Sequence, residues 1–354
     1  MNPLIQTLTE SSRQVIKDCS MDNGAIVAAN STKDYFPKEA KNYFFVWPRD
    51  GAYNCIAANI LGIKIQENFF RWCMRAEGWN ETGLFYEKYF TCGKKAMHHF
   101  QPDQTGSILI ALLDYYKDKT IPHDIKNLIV KSANGLCNLW NKDHFNHITQ
   151  DLWEERLCFP DLNENFTYSL GSCCRGLLCA DKLMPDKNWV KTANEMKETL
   201  MKNNKTYFSR SFGKLTDQRP DASLIGLVWP LNIINADDSK MKKTIALIEK
   251  KIVKNYGVYR YENDEYDGWM HRKHTHRKKG AGYWPLLNFW MSIYHIENKN
   301  KARALKYYNK VLDDLKDKKY IPEQIFDNDI QVSVSPLCWS HSMFVIASKK
   351  LGLV

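Results

Sequence analysis

The sequence predicts an all-α protein built as one closed ring of six helical hairpins, an (α/α)6 barrel. Three observations carry this. Twelve segments show a helical period. They alternate along the chain between charged-amphipathic and nearly uncharged. A helix that is apolar all round must be surrounded by protein, whereas a one-striped helix lies at the surface. Finally, the polar-aromatic motifs fall in front of the apolar helices, so one rim of the ring would collect them.

The elements follow in order. Residues ~3–19 put Leu4, Leu8, Val15 and Cys19 on one face, and ~50–62 is nearly uncharged after Asp50. The charged segment ~64–77 precedes the apolar ~104–117. In ~122–141 the stripe is Ile125, Leu128, Ile129, Ser132, Leu136 and Trp140, followed by the apolar, small-residue-rich ~165–183. Residues ~187–203 place Trp189, Ala193, Met196 and Leu200 on one face of a Lys-rich helix. Apolar ~221–235 precedes Lys-rich ~238–254. Apolar ~282–296 precedes ~299–316, striped by Ala304, Leu305, Tyr308, Leu312 and Leu315, and the apolar ~337–350 closes the series. Strand-like pieces at 24–30 and 42–47 decorate the ends.

Composition narrows the class. The 354 residues are 44% hydrophobic and 25% charged, which suits a globular chain. Length alone suggests two or three domains. No Pro/Gly/Ser linker interrupts the alternation, so residues 1–354 are expected to form a single domain. No stretch approaches the ~20 apolar residues of a membrane span, and the first residues lack the apolar block of a signal peptide. The ten cysteines show no CxxC spacing; buried reduced thiols in a cytoplasmic protein are the expectation. The net charge of +10 comes largely from surface lysines. With no nucleic-acid module recognisable, it predicts a diffuse field and neither a nucleic-acid nor a membrane partner.

The chemistry-bearing motifs are WPRD (47–50), HFQPD (99–103), DLWEER (151–156), DQRPD (217–221), YRYENDEYDGW (259–269), GYW (282–284), IPEQ (321–324) and PLCWSH (336–341). Each leads into an apolar helix. Six of the eleven tryptophans (47, 79, 153, 269, 284 and 339) lie in or beside them. Aromatic rings edged by Arg, Asp and Glu suit a sugar, whose C–H faces stack while its hydroxyls need bidentate partners. Two carboxylate sites stand out, Glu154-Glu155 and Glu323. Glycoside hydrolysis needs one protonated carboxyl for the leaving oxygen and a second carboxylate for water or the anomeric carbon. Trp153 offers an apolar wall of the kind that raises a carboxyl pKa. The alternative is that these glutamates merely favour helix N-termini; three motifs on one rim weigh against it.

The series GAIVAAN, WPRDGAY, QPDQTG, DLWEER with FTYS, GVYRY, YW and PEQ with SPLCWSH resembles glycoside hydrolase family 15, the glucoamylases, from about residue 24 to the C-terminus. The resemblance implies an (α/α)6 barrel and an inverting exo-hydrolase that releases β-glucose from the non-reducing ends of α-glucans or maltooligosaccharides. It implies no cofactor and no catalytic metal. By motif, Glu154 matches the catalytic acid and Glu323 the catalytic base. Arg49 and Asp50 match the pair that clamps the non-reducing glucose. Trp153 and Glu155 match residues shaping the next subsite, and Arg260 an arginine reaching the sugar. Trp339 matches a wall tryptophan near the base. Trp47 and Trp284 are counted with the substrate-binding aromatics, and Gln101 and Asp103 are placed close by without a defined role.

Against the family pattern, neither a β-sandwich before the ring nor a starch-binding module after it is recognisable. A basic run, HRKHTHRKK (271–279), stands before the YW motif. It reads first as a solvated loop at the pocket mouth. A subsite for anionic groups, or a metal held by His271, His274 and His276 without an obvious fourth ligand, are the other readings. Trehalose or α-1,6-linked dextran are alternative substrates. A non-catalytic glucan-binding domain, like those of phosphorylase kinase subunits, is the rival from another class.

Overall fold

The computed structural model describes residues 3–268, 280–316 and 318–354. The basic run 271–279 and Trp269 lie outside the described residues, and with them every reading of that run.

Helices α1 (Pro3–Cys19), α3 (Gln66–Cys73), α6 (His123–Leu139), α8 (Lys187–Asn203), α9 (Ser239–Lys251) and α11 (Lys301–Leu315) form an outer layer. The inner layer is α2 (Pro48–Leu61), α5 (Pro102–Tyr116), α7 (Thr167–Leu183), a 3₁₀ helix (Ala222–Leu227), α10 (Pro285–Glu297) and α12 (Cys338–Leu351). Each inner element packs on the next, and α12 returns to α2, so the ring closes. A short α4 (Trp79–Thr82) follows α3. Burial tracks the sequence alternation. In α10 every residue from Pro285 to His295 is buried. In α11 only Ala304, Tyr307, Tyr308, Val311, Leu312 and Leu315 are.

One predicted element is shorter than expected. The apolar run ~221–235 yields only the 3₁₀ helix Ala222–Leu227. Pro230 supplies no N–H and disfavours the helical conformation at Trp229, and Asn232 takes a left-handed φ of 48°. The segment keeps its inner place because all six residues of the 3₁₀ turn are buried. An apolar run signals burial whether or not the backbone continues as a helix.

Helix starts differ between the layers. Outer α8, α9 and α11 are capped by the side chains of Asp186, Asp238 and Asn300, which accept backbone N–H bonds. Inner α2, α5 and α10 begin with Pro48, Pro102 and Pro285 and have no side-chain cap. Proline at the first helical position presets φ and removes one orphan N–H. It leaves the preceding residue, Trp47, Gln101 or Trp284, extended with its side chain free for other work.

Small residues set one close approach. A Cβ on Gly106 of α5 would lie 2.4 Å from the Ser172 carbonyl oxygen of α7, and one on Gly176 would lie 2.8 Å from Gly106 Cα. Only glycine lets these two inner helices pack so closely. Eight of the ten cysteines are buried and none is bridged. Among the described residues, no helix is long and apolar enough to cross a membrane.

Candidate active site

The uncapped ends of α2, α10 and α12 converge on one cavity of about 520 Å³, together with the loops before α7 and α12. That volume suits a small ligand.

The loop before α7 is a hairpin, which the sequence reading did not anticipate. Strands β1 (Thr149–Gln150) and β2 (Leu157–Cys158) pair antiparallel, and DLWEER forms the tip. The buried Asp151 carboxylate accepts the backbone N–H groups of Glu155 and Arg156 at 2.9 and 3.1 Å. The Glu154 N–H bonds the Asp151 carbonyl at 3.1 Å. This tight tip holds Glu154 at a φ of 63°, a left-handed conformation that is uncommon for a non-glycine residue and costs about 1–3 kcal/mol. The result aims Trp153, Glu154 and Glu155 at the cavity.

Glu154 is bonded by two groups the chain brings from elsewhere. Trp47 donates its indole N–H to Oε1 at 2.6 Å, and Lys88 Nζ stands 3.5 Å from Oε2. Burial raises the Glu154 pKa to about 7, with the neighbouring Glu87 adding and Lys88 opposing. The group is thus poised to carry a proton near neutrality.

Glu323 occupies a different environment. It is 4% exposed, and its N–H bonds the Val334 carbonyl at 2.8 Å. Tyr43 donates to Oε1 at 2.9 Å and Ser333 to Oε2 at 3.3 Å. Burial raises its pKa, while Tyr43, Arg260, Lys41 and Ser333 all favour the carboxylate. No hydrogen-bond partner is shared between the two glutamates, and both line the same cavity.

Arg49 and Asp50 line the cavity with them. Arg49 Nη1 donates to Asp103 Oδ2 at 2.8 Å and to Gln101 Oε1 at 3.0 Å. Asp103 and Asp50 hold Arg49 firmly protonated against the cost of burial. Asp50 Oδ1 is buried without a hydrogen-bond partner, and burial lifts its pKa to about 7 against the pull of Arg49. An unsatisfied buried carboxylate oxygen beside a cavity is a ready acceptor for a ligand hydroxyl.

Arg260 is fixed on the far wall. It makes two 2.7 Å bonds to Asp264 and one to Glu155 Oε1 at 2.7 Å, and Tyr261 donates to Glu155 Oε2. Its guanidinium lies 5.0–5.4 Å from the ring centres of Trp153, Tyr261, Tyr266 and Trp284. Trp153 in turn donates to Asp221, the residue that caps the 3₁₀ helix.

Trp47, Arg49, Asp50, Trp153, Glu154, Glu155, Arg260, Trp284, Glu323 and Trp339 thus meet around one cavity. Gln101 and Asp103 do not line it. They are fully buried one layer behind, close by as expected, and both accept from Arg49 Nη1. Trp79 also departs from the expected rim: it is buried, with its indole donating to Ser132 at 2.9 Å. Tyr43, Tyr266, Lys41 and Lys88 line the cavity without having been singled out. Tyr43 sits in the strand-like piece 42–47 and Tyr266 in the YRYENDEYDGW motif. Lys41 and Lys88 carry no such signal.

The model of the family described as Glycosyl hydrolases family 15 matches residues 13–349. An uncharacterized glycosyl hydrolase of Methanocaldococcus jannaschii is 30% identical over 377 residues, spanning 98% of this chain and 56% of that protein. The isomaltose glucohydrolase of Kribbella flavida is 25% identical over 146 residues, spanning 38% of this chain and 35% of that protein. The chain therefore spans about half or less of the length of these curated relatives. The solved glucoamylase of Saccharomycopsis fibuligera superposes with a TM-score of 0.76 at 13% identity, covering 98% of this chain and 94% of that one; it shares the fold. A match over nearly the whole chain, on a ring whose rim gathers two glutamates and an arginine-aspartate pair, has one meaning for classification: the chain belongs to glycosyl hydrolase family 15.

Proposed function

We propose that the protein is an inverting, exo-acting α-glucoside hydrolase that releases β-glucose from the non-reducing ends of α-glucans or maltooligosaccharides. One observation carries this reading: two buried glutamates, held by separate sets of donors, line one cavity. Glu154 has a pKa raised to about 7 and is the general acid, protonating the glycosidic oxygen. Glu323 accepts two hydroxyl hydrogen bonds that favour its charged form and is the general base, taking a proton from the attacking water. Bond cleavage and water attack on opposite faces of the sugar invert the anomeric carbon. Arg49 and Asp50 hold the terminal glucose by its hydroxyls, the unsatisfied Asp50 Oδ1 being one acceptor. Trp153 and Glu155 shape the position beyond the cleaved bond, and Arg260 reaches the bound sugar.

The linkage has a second candidate. The similarity to an isomaltose glucohydrolase supports α-1,6-linked glucosides beside α-1,4-linked ones. Proton NMR of digests of maltotriose, isomaltose and trehalose decides both points. Initial β-glucose from either of the first two supports the reading and names the linkage. From maltotriose, whose first cleavage frees only the non-reducing-end glucose, initial α-glucose overturns inversion; no glucose from any of the three overturns the hydrolase assignment.

A further inference from the structure

A second carboxylate stands beside Glu154, in a segment that no motif marked. Glu87 lies between α4 and α5, is 1% exposed, and shares the Lys88 ammonium with Glu154, at 3.0 Å from Glu87 Oε1 and 3.5 Å from Glu154 Oε2. Two carboxylates can share a hydrogen bond only if one of them carries the proton. The surroundings decide which. Glu87 Oε1 accepts from Lys88 Nζ at 3.0 Å and Oε2 lies 3.1 Å from His99 Nδ1, contacts that favour its charged form. Glu154 Oε1 accepts from Trp47, which leaves Oε2, on the Lys88 side, to carry the proton.

We propose that Glu87 is a positioning residue for the acid: its carboxylate accepts the hydrogen bond from Glu154 and keeps the proton there until the glycosidic oxygen takes its place. The assignment of Glu154 as the acid rests on the function proposed above. Glu87 does not touch substrate, because it does not line the cavity. Lys88 does line it and opposes Glu87, its cation within reach of both carboxylates and 5.0 Å from the centre of the Trp47 ring. Other charged or titratable groups near Glu154 are its chain neighbour Glu155 on the hairpin tip, Arg49 of α2 and Tyr266. His99 acts on Glu87 from the other side. Removing the Glu87 charge and removing the Lys88 charge must therefore move Glu154 in opposite directions, which a loss of packing alone would not do.

The test titrates the Glu154 carboxyl by ¹³C NMR in the full-length protein, with Glu154→Gln identifying the resonance. In Glu87→Gln the midpoint is expected to fall by about 1 pH unit, because a like charge is gone and the freed Lys88 favours the carboxylate. In Lys88→Met it is expected to rise by about the same amount. Glu87→Asp, with the charge drawn back by one methylene, is expected to lie between wild type and Glu87→Gln and serves if the amide variant does not fold. A midpoint unmoved or raised by the Glu87 variants overturns the proposal. Glucose release by the wild type is followed separately: its absence would sink the hydrolase reading, whereas the carboxyl titration judges Glu87 with or without turnover.

Discussion

Ile321 donates its backbone N–H to Nε2 of His341 at 2.9 Å, two residues before Glu323. His341 is fully buried on α12, and its Nδ1 faces Ser12 Oγ of α1 at 2.9 Å. The Ser12 hydroxyl spends its single proton on the Leu8 carbonyl at 2.7 Å, so it must accept from Nδ1–H. The tautomer is thereby set, and Nε2 is left as the acceptor that pins the loop carrying Glu323.

Protonating His341 would break the Ile321 bond, and burial pushes its pKa down to about 3. In the unfolded chain the same group titrates near 6.5. Between those values the unfolded state binds more protons, so stability is lost as pH falls from about 6.5 towards 3, at up to about 1.4 kcal/mol per unit. Urea unfolding between pH 7 and 4.5 is expected to show this slope in the wild type. In His341→Gln, whose amide oxygen can still accept from Ile321 but which does not titrate, the slope should be shallower. Equal slopes would mean that His341 titrates in the folded protein as it does in the unfolded chain.

Glu154→Gln and Glu323→Gln are expected to lower hydrolysis of maltose or maltotriose by at least about 10²–10⁴-fold, the usual contribution of a general acid or base, without unfolding the protein. Stability moves the other way. A carboxyl whose folded pKa is raised loses stabilisation as pH rises from its unfolded value, about 4.3, through the folded one. For Glu154 that window runs to about 7. Glu154→Gln should therefore melt above wild type at pH 7.5, by about 2 kcal/mol at most given its partial exposure to the cavity. The gap should close at pH 4.5. Activity and circular-dichroism melts on one preparation test both halves.

Much of this site was legible because its residues are chemically unusual for where they sit. A charged WPRD before an apolar helix has no packing reason to exist, and WEE and PEQ add carboxylates at the same level of the ring. The alternation of apolar and striped segments likewise gave the ring, since burial on all sides is written into composition. What stayed hidden was tertiary. The DLWEER hairpin depends on Asp151 accepting two N–H groups, and its strands are two residues long, too short for a period-2 pattern. Gln101 and Asp103 look like cavity residues in sequence because they precede a helix as WPRD does, yet Arg49 fills the space in front of them. The helix expected over 221–235 failed because its apolar run reports burial and Pro230 decides the backbone.

Arg49 owes its place to those two hidden residues. Asp103 is fully buried and accepts from Arg49 at 2.8 Å and from Ser169 at 3.2 Å. Asp103→Asn leaves the buried guanidinium short of a counter-charge, which typically costs about 3–5 kcal/mol. The variant is expected to unfold at lower urea. In what remains folded, KM for maltotriose should rise more than kcat falls if, as proposed, Arg49 holds the sugar and not the reacting bond. A kcat loss with unchanged KM would place Asp103 in the chemistry itself.

Tyr43 gives the sharpest pH prediction. Its hydroxyl donates to Glu323 Oε1 at 2.9 Å and lies 2.9 Å from the Tyr266 hydroxyl. A donor bonded to the charged form of a carboxyl favours that form, so Tyr43 holds Glu323 lower than burial alone would. Tyr43→Phe removes the bond and keeps the ring that packs against Trp47, their centres 5.6 Å apart. The Glu323 pKa must then rise. Because the base acts only when ionised, the acid limb of the kcat/KM profile is expected to move to higher pH, with the basic limb set by Glu154 unchanged. At pH values above both limbs' inflections the variant and the wild type should decline in parallel. An acid limb that stays in place while kcat falls would show that Tyr43 acts on the water or the sugar and not through Glu323.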